Sequence, residues 1–293
     1  MAKKKTVLRW VGRSFLVLFL IGAIWVVNLI WFKPFNIRHF YDRVFLEVAI
    51  SNPELVTSMG IPVLYDFTKD ELANVSDEKQ WEDFNRVKAN LATLRSYDFD
   101  RQSEENQLNT KILEWFLAKQ VEGEPYFYYG YPVNQMFGVQ SNLPSMMENS
   151  HKLRNESDIE AYISRLSKFD TKFRQVLEGL RKREEKGIIP PTFIIDKVLD
   201  EMKGFTGQIE ETEITKEMNP DPVRRNILFT NLKKKIEEIE DLPEEEKNEF
   251  LSKAEEEIRN TVFPAYQLLI DYFEELDEKA TRSEEHTSEL QSH

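Results

Sequence analysis

Histidines are the first residues to consider in this chain, because it contains no cysteine and imidazole is then the strongest remaining ligand for a transition metal. The four histidines are His39, His151, His286 and His293. No two of them lie four residues apart and no H-E-x-x-H occurs, so the sequence contains no helical pair of zinc ligands. No serine lies in a G-x-S-x-G elbow. We therefore assign no catalytic residue, no metal ligand and no cofactor to this chain.

A stretch rich in aromatic and amide side chains, from Glu122 to Lys152, is the candidate binding surface. It lacks a helical repeat, and a loop this long inside a compact domain is usually functional or disordered. Its aromatic content argues against disorder. The candidate cleft-lining residues are Tyr131, Asn134, Gln135, Gln140 and His151. The alternative is that the aromatic residues only pack the loop onto helices. A short pair of strands near residues 126–131 is the one place where the sequence suggests β structure.

Helical repeats on both sides must position this loop, and they predict an all-α fold. The predicted helix starts are Ser76-Asp77, Ser103, a capping box from Ser157 to Glu160, Thr192, Asp221-Pro222 and Pro243.

Two features of these predicted helices depend on spacing and on proline. The helix after Ser103 has Leu108, Ile112, Trp115 and Phe116 at helical spacing, which predicts a buried stripe. Pro264 predicts a kink in the last helix.

The N-terminal run from Ser14 to Phe32 has 19 residues and no charge. As a helix it would span roughly 28 Å, about the thickness of the hydrocarbon core of a bilayer. Five basic residues and no acidic residue precede it, which predicts a cytoplasmic N-terminus and an extracytoplasmic main domain, periplasmic or at the cell surface. Membrane lipid is thus an expected partner, contacted by the anchor residues Phe15, Leu20, Trp25 and Trp31. The alternative is a cleaved signal peptide.

The charge of the remaining chain argues against two classes of partner for the soluble part, nucleic acids and anionic lipid surfaces. After the five N-terminal basic residues, 34 Lys and Arg face 52 Asp and Glu, a net charge of −18. A strongly acidic protein is repelled by the phosphate backbone of nucleic acids. We expect no nucleic-acid partner.

The C-terminal segment from Arg282 to Ser292 reads RSEEHTSELQS, which looks like the in-frame translation of a widely used sequencing-library adapter. We interpret residues 281–293 as an artefactual tail and exclude them from fold reasoning. The expected organisation is a basic cytoplasmic segment (1–13), a transmembrane signal anchor (14–32), a helical extracytoplasmic domain (33–280) that is incomplete at its C-terminus, and this tail (281–293).

From about Phe40 to Ala280 the chain resembles the N-terminal half of a bacterial family, domain of unknown function 885. The resemblance is carried by short stretches in this order: NPELVTSMG from Asn52, YPVNQ from Tyr131, GVQ from Gly138, LP from Leu143, His151, DIEAYISRL from Asp158, GIIPP from Gly187 and VFPAY from Val262. Family members look like helical zinc peptidases with an H-E-x-x-P-G-H-type motif in their C-terminal half. No position of this chain matches that motif.

The resemblance implies a truncated chain, inactive by itself, whose full-length parent is a zinc-dependent peptidase-like protein with a peptide substrate. The alternative from the residues alone is a non-catalytic helical binding or scaffold module tethered to the membrane.

Overall fold

The computed structural model describes residues 16–17, 19–20, 22–30, 32–209 and 221–291, the last eleven of these for their backbone only. All regular structure in these residues is helical, which confirms the all-α prediction. The helices are α1 (Ile37–Ser51), α2 (Pro53–Met59), α3 (Pro62–Thr68), α4 (Asp77–Arg95), α5 (Glu104–Glu122), α6 (Val139–Asn149), α7 (Glu156–Ser167), α8 (Phe169–Glu185), α9 (Thr192–Phe205), α10 (Pro222–Arg225), α11 (Ile227–Glu237), α12 (Glu244–Glu257) and α13 (Phe263–Gln291), with a π-helical turn at Ile258–Val262.

The chain divides into two compact units. Unit 1 consists of residues up to Val48 together with Asp83–Glu124, and unit 2 of Ala49–Glu82 together with residues from Pro125 onward. This division was not expected, because the sequence predicts a single extracytoplasmic domain over residues 33–280.

Unit 1 has a small core between α1, α4 and α5. Its buried members are Ile37, Phe40, Val44, Leu91, Leu94 and Leu117. The start of α1 is tied to the start of α5, since Arg38 forms an ion pair of 2.7 Å with Glu105 and the Tyr41 hydroxyl donates to the Asn106 carbonyl at 3.0 Å. These contacts fix the register of α5 along α1.

Unit 2 contains the main core, which the C-terminal helix organises. Helix α13 packs against α8 and α9, and its residues Tyr266, Leu269, Ile270 and Phe273 are fully buried. The Tyr266 ring stacks on Phe205 with centroids 4.2 Å apart. The π-helical turn comes directly before Phe263-Pro264, where the sequence predicts a kink. A π turn is one of the ways in which a helix accommodates an irregularity of this kind.

The stretch from Glu122 to Lys152 contains a helix that the sequence analysis missed. Helix α6 occupies Val139–Asn149 with Pro144 inside it. Glu124–Tyr126 form a 3₁₀ turn and residues 127–131 a turn and irregular chain, so the suggested strands are wrong. Proline inside the repeat hides the helix, because it removes a backbone donor and breaks the expected pattern.

Two further local predictions need correction. The N-cap of α7 is Asn155, whose side chain accepts a hydrogen bond from the Asp158 amide; Ser157 lies inside the helix, so the predicted capping box is wrong. Helix α5 exposes Leu108, Ile112, Trp115 and Phe116 by 56–64%, although the sequence predicts them buried. Its buried face is the opposite one, which carries Thr110 and Leu117.

Residues 22–30 of the N-terminal apolar run are helical. Leu20 and Trp25 are about half exposed, while Phe15 and Trp31 lie outside the described residues. The side chain of Asn28, a polar residue of this run, bonds to the backbone that follows the run. It donates to the Lys33 carbonyl at 3.0 Å and accepts from the Phe35 amide at 3.2 Å. Within the part of the chain that is described, no helix has the length and apolar character required to cross a bilayer.

A cleft in unit 2

A cleft of about 670 Å³ opens in unit 2 between α2, α6 and α8. Three kinds of side chain line it. Apolar groups come from Leu55, Val75, Pro132, Phe137, Val139, Leu143, Met146 and Val176, amides and hydroxyls from Asn52, Ser58, Gln80, Asn142, Ser145, Asn149, Ser150 and Gln175, and charges from Glu54, Lys172 and Arg183. Phe137 stands at the rim with 73% of its surface exposed. A mainly apolar cleft with a few placed polar groups is the usual composition of a binding site.

One wall of the cleft is held in place by a ladder of side chains on α7 and α8, of which Lys172 and Gln175 line the cleft. These two helices are separated only by Lys168. Four side chains on the same face, spaced three or four residues apart, bond to the backbone of the connection after α3: Arg165, Lys168, Lys172 and Gln175. Their backbone partners are the carbonyls of Glu71, Asp70 and Ala73 and the amide of Val75, at 2.8–3.1 Å. The ladder supplies hydrogen-bond partners to backbone carbonyl and amide groups that lie outside a helix.

An ion pair at this wall joins Glu54 of α2 to Lys172 of α8. The Lys172 ammonium lies 2.6 Å from the Glu54 carboxylate and also donates to the Ala73 carbonyl at 3.1 Å. The carboxylate accepts from the Ala73 amide at 3.0 Å. Both charges are thus already paired and hydrogen-bonded, which is the condition for keeping charges in a partly buried wall. The pair positions the wall and leaves the apolar groups to contact a ligand.

The opposite wall is α6 and the loop before it. Asn142, Ser145 and Asn149 recur at helical spacing on the face of α6 that lines the cleft. The amide nitrogen of Asn142 donates to the Phe137 carbonyl at 2.8 Å, and that of Asn149 donates to the Ser145 carbonyl at 3.0 Å. The side-chain oxygens of Asn142 and Asn149 accept no hydrogen bond from another described residue, so they are available as acceptors for a ligand N–H group. The sequence gives no sign of this row, because Pro144 interrupts the repeat of the helix that carries it.

The loop from Tyr131 to Gly138 is a compact turn held by its own polar side chains. Asn134 accepts from the amides of Met136 and Phe137 at 2.9 and 2.8 Å, and the Val139 amide donates to the Pro132 carbonyl at 3.0 Å. Gly138 leaves no room for a side chain, because a Cβ there would lie 2.5 Å from the Asn134 amide nitrogen. This geometry presents Pro132 and Phe137 to the cleft.

The five candidate cleft residues thus occupy different places. Tyr131 donates to the Ile189 carbonyl at 3.2 Å, and Asn134 holds the loop. Gln135 is exposed, and Gln140 is buried, donating to the Asn134 carbonyl at 2.6 Å and to Glu201 at 2.9 Å. The cleft is lined by their neighbours in the same segment, and a ligand role for the five stays a prediction.

His151 lies in a buried polar cluster under α6 and α7. Its Nδ1 is 3.0 Å from a guanidinium nitrogen of Arg165, and its Nε2 is 3.0 Å from the Asp158 carbonyl. Since arginine only donates and a carbonyl only accepts, Nδ1 is the acceptor and Nε2 carries the hydrogen. Burial and the charge of Arg165 lower the pKa of His151 to about 3, so the ring is neutral at ordinary pH.

Arg165 is completely buried at the centre of this cluster. Besides His151 and the Glu71 carbonyl, it donates to the Thr57 hydroxyl at 2.7 Å and to the Thr68 carbonyl at 3.2 Å. Burial lowers its pKa to about 10, which still leaves it charged. It therefore joins α2, α3 and α7 through one guanidinium.

The described residues contain no group of three His, Asp or Glu side chains arranged to hold a metal ion. None of the cleft-lining residues is a histidine, so its three serines have no imidazole base beside them among these residues. The arrangement suits recognition through apolar contact and hydrogen bonds.

The family's sequence profile, described as a bacterial protein of unknown function (DUF885), matches residues 53–290. The chain belongs to this family. The match includes every residue that lines the cleft except Asn52, so the cleft is built from DUF885 sequence. It also runs into the segment that the sequence analysis assigns to an adapter, whose artefactual origin stays a prediction. No curated protein matches the chain.

A similar solved structure is that of a "putative lipoprotein" from Colwellia psychrerythraea, with a TM-score of 0.67 and 16% sequence identity. The similarity covers 82% of this chain and 42% of the Colwellia protein. At this identity the comparison establishes the fold. The DUF885 chain described here thus spans less than half the length of that relative.

Proposed function

We propose that this chain is the membrane-anchored, peptide-binding part of a longer extracytoplasmic protein that resembles a zinc peptidase. The observation that carries the proposal is the cleft of unit 2. It combines apolar side chains with the side-chain amides of Asn142 and Asn149 on α6, and two of its three charged groups, Glu54 and Lys172, pair with each other. Peptides offer apolar side chains and backbone N–H groups, which is the chemistry that this lining complements.

The membrane anchor in this proposal is the N-terminal apolar run. Its support is the uncharged length from Ser14 to Phe32 and the five basic residues that precede it. The guanidinium of Arg43 donates to the Phe32 carbonyl at 2.7 Å, which caps the end of the run with a positive charge. The description of the Colwellia relative as a lipoprotein also favours an extracytoplasmic, membrane-attached location.

Zinc belongs to the longer protein in this proposal. The described residues contain no set of side chains that fits the ion, so no step of a reaction is assigned to it here. The length of the Colwellia relative, of which this chain covers 42%, leaves room for a second half with its own ligands.

A second candidate function is a non-catalytic binding or scaffold module tethered to the membrane. The pairing of Glu54 with Lys172 and the lack of an imidazole among the described cleft-lining residues favour it. The two proposals share the cleft and the anchor, and they differ in whether the complete protein hydrolyses the peptide that it binds.

Reading the complete gene and assaying its product separates them. The first proposal predicts an H-E-x-x-H motif in the continuation and peptide hydrolysis that a chelator abolishes, while residues 1–293 alone hydrolyse nothing. A continuation without that motif contradicts the first proposal, and so does chelator-sensitive hydrolysis by residues 1–293 alone. The same DNA sequence shows whether residues 281–293 derive from an adapter.

A further inference from the structure

The outer face of α5 is an apolar surface that no other described residue of unit 1 covers. We call Leu108, Ile112, Trp115 and Phe116 the α5 stripe; each of them is 56–64% exposed. The inner face of the same helix packs on the unit 1 core through Leu117 and Leu113. A helix that is apolar on two opposite faces is normally covered on both. The α5 stripe therefore requires a partner outside unit 1.

The charge of unit 1 limits what this partner is. The part of unit 1 that follows the N-terminal apolar run, residues 33–48 and 83–124, carries nine Lys and Arg against ten Asp and Glu, a net charge of −1; the five basic residues before the run are not counted. Residues 49–82 and 125–293 carry 25 against 42, a net charge of −17. An almost neutral unit can approach an anionic lipid surface without the repulsion that unit 2 would experience.

The position of α5 in the chain brings the α5 stripe into the same unit as the N-terminal apolar run. Residues 22–30 and α1 are joined by the bond from Arg43 to the Phe32 carbonyl and by an edge contact between Trp25 and His39, with ring centroids 5.4 Å apart. Helix α5 is joined in turn to the start of α1 by the 2.7 Å ion pair between Arg38 and Glu105. Whatever surface receives the run is thus within reach of α5.

We propose that the α5 stripe lies in the interfacial layer of a lipid bilayer, beside the inserted N-terminal run. This inference rests on the proposed membrane anchoring. Trp115 and Phe116 are residue types that favour the membrane–water interface, and a helix with one apolar face can lie in its plane. The bilayer is a better occupant than a second copy, because the run already holds unit 1 at the lipid surface and no further molecule has to be recruited.

Single spin labels test this proposal, because the chain has no native cysteine. The full chain is reconstituted in vesicles of phosphatidylcholine and phosphatidylglycerol, with a label at Leu20→Cys, Ile112→Cys or Ser252→Cys. Leu20 reports on the run, Ile112 on the α5 stripe, and the exposed Ser252 of α12 is the aqueous control. Collisions of each label with lipid-soluble oxygen and with a water-soluble nickel complex measure its depth, and far-ultraviolet circular dichroism shows that each variant keeps its helices.

The proposal predicts that the labels at positions 20 and 112 both lose nickel collisions and keep oxygen collisions, whereas the label at 252 keeps nickel collisions. Nickel collisions at 112 equal to those at 252, with 20 in lipid, would overturn the inference and leave the anchor intact. A label at 20 that remains in water would overturn the anchor itself. Spin–spin broadening at 112 that disappears on dilution with unlabelled chain would identify a second copy as the occupant and also overturn the inference.

Discussion

The hydroxyl of Tyr266 donates a hydrogen bond to the backbone carbonyl of Gln140, and it does so at the position where Pro144 removes the helical donor. In a regular helix the carbonyl of residue 140 accepts from the amide of residue 144. Proline has no such N–H group, so the carbonyl would be unsatisfied. Tyr266 is fully buried and comes from the far end of unit 2, so α13 completes α6.

We therefore expect Tyr266→Phe to destabilise the protein by about 1–3 kcal/mol, because it leaves a buried carbonyl without a donor. Pro144→Ala restores the backbone donor. The cost of Tyr266→Phe should then be clearly smaller in the Pro144→Ala background, as measured by urea unfolding in a double-mutant cycle. Equal costs in both backgrounds would show that the hydroxyl does not replace the missing amide.

The buried guanidinium of Arg165 leads to a second prediction. Arg165→Met removes the donor to the Glu71 carbonyl and to the Thr57 hydroxyl, and one of the two donors to the Thr68 carbonyl, which also accepts from the Glu71 amide. Unfolding should therefore become easier by about 3 kcal/mol or more. Arg174→Met is the matched control, since this side chain is 63% exposed and pairs only with Asp170 one turn earlier. Equal stability of the two variants in urea would contradict the assigned role.

His151 makes stability depend on pH. Its pKa is about 3 in the folded protein and about 6.5 in an unfolded chain, so the unfolded state binds more protons between these values. Stability is therefore complete above about pH 6.5 and is lost as the pH falls toward 3, by up to about 1.4 kcal/mol for each pH unit. Asp158 adds to this only at lower pH: burial raises its pKa, but bonds from Arg154 and Lys69 lower it overall, to about 2.

We expect His151→Gln to flatten the dependence of the unfolding free energy on pH between 4 and 6.5, because glutamine can accept from Arg165 and donate to the Asp158 carbonyl without titrating. If the slope in this range survives in His151→Gln, another group is responsible.

The two glycines that flank the Tyr131 loop offer a matched comparison. Gly138→Ala places a methyl group against Asn134 and Gln140 and should distort the loop that presents Phe137, whereas a Cβ at Gly130 has nothing within 4 Å. We expect Gly138→Ala to lower thermal stability and to weaken peptide binding, and Gly130→Ala to change neither. The same melting temperature for both variants would show that the loop tolerates the change.

The sequence predicts the helices of this fold better than their environment. Caps at Ser103 and Asp221 are confirmed, because a side chain that accepts from the backbone two or three residues later is a local feature. The neighbouring helices decide which face of α5 is covered. The apolar residues at helical spacing on α5 are therefore wrongly predicted to be buried.

The cleft was predictable only in part. The aromatic and amide-rich segment does contribute Pro132, Phe137 and Val139 to it, but the sequence analysis chose other members of the same segment. The wall formed by α7 and α8 depends on the ion pair between Glu54 and Lys172, which are 118 residues apart. It also depends on four polar side chains along α7 and α8, whose spacing in the sequence is that of an ordinary solvent-exposed helix face. Long-range pairing of this kind leaves no local signal.

Peptide binding in the cleft is the most direct test of the proposed function. The probe is an unstructured, fluorescein-labelled peptide containing leucine and phenylalanine, followed by fluorescence anisotropy with residues 1–293. We expect saturable binding. Phe137→Ala should weaken it by about tenfold or more, because the peptide loses an aromatic contact that binding would bury. Phe193→Ala changes an exposed aromatic residue outside the cleft and should leave the affinity unchanged. No binding, or equal weakening by both variants, would contradict a peptide site in this cleft.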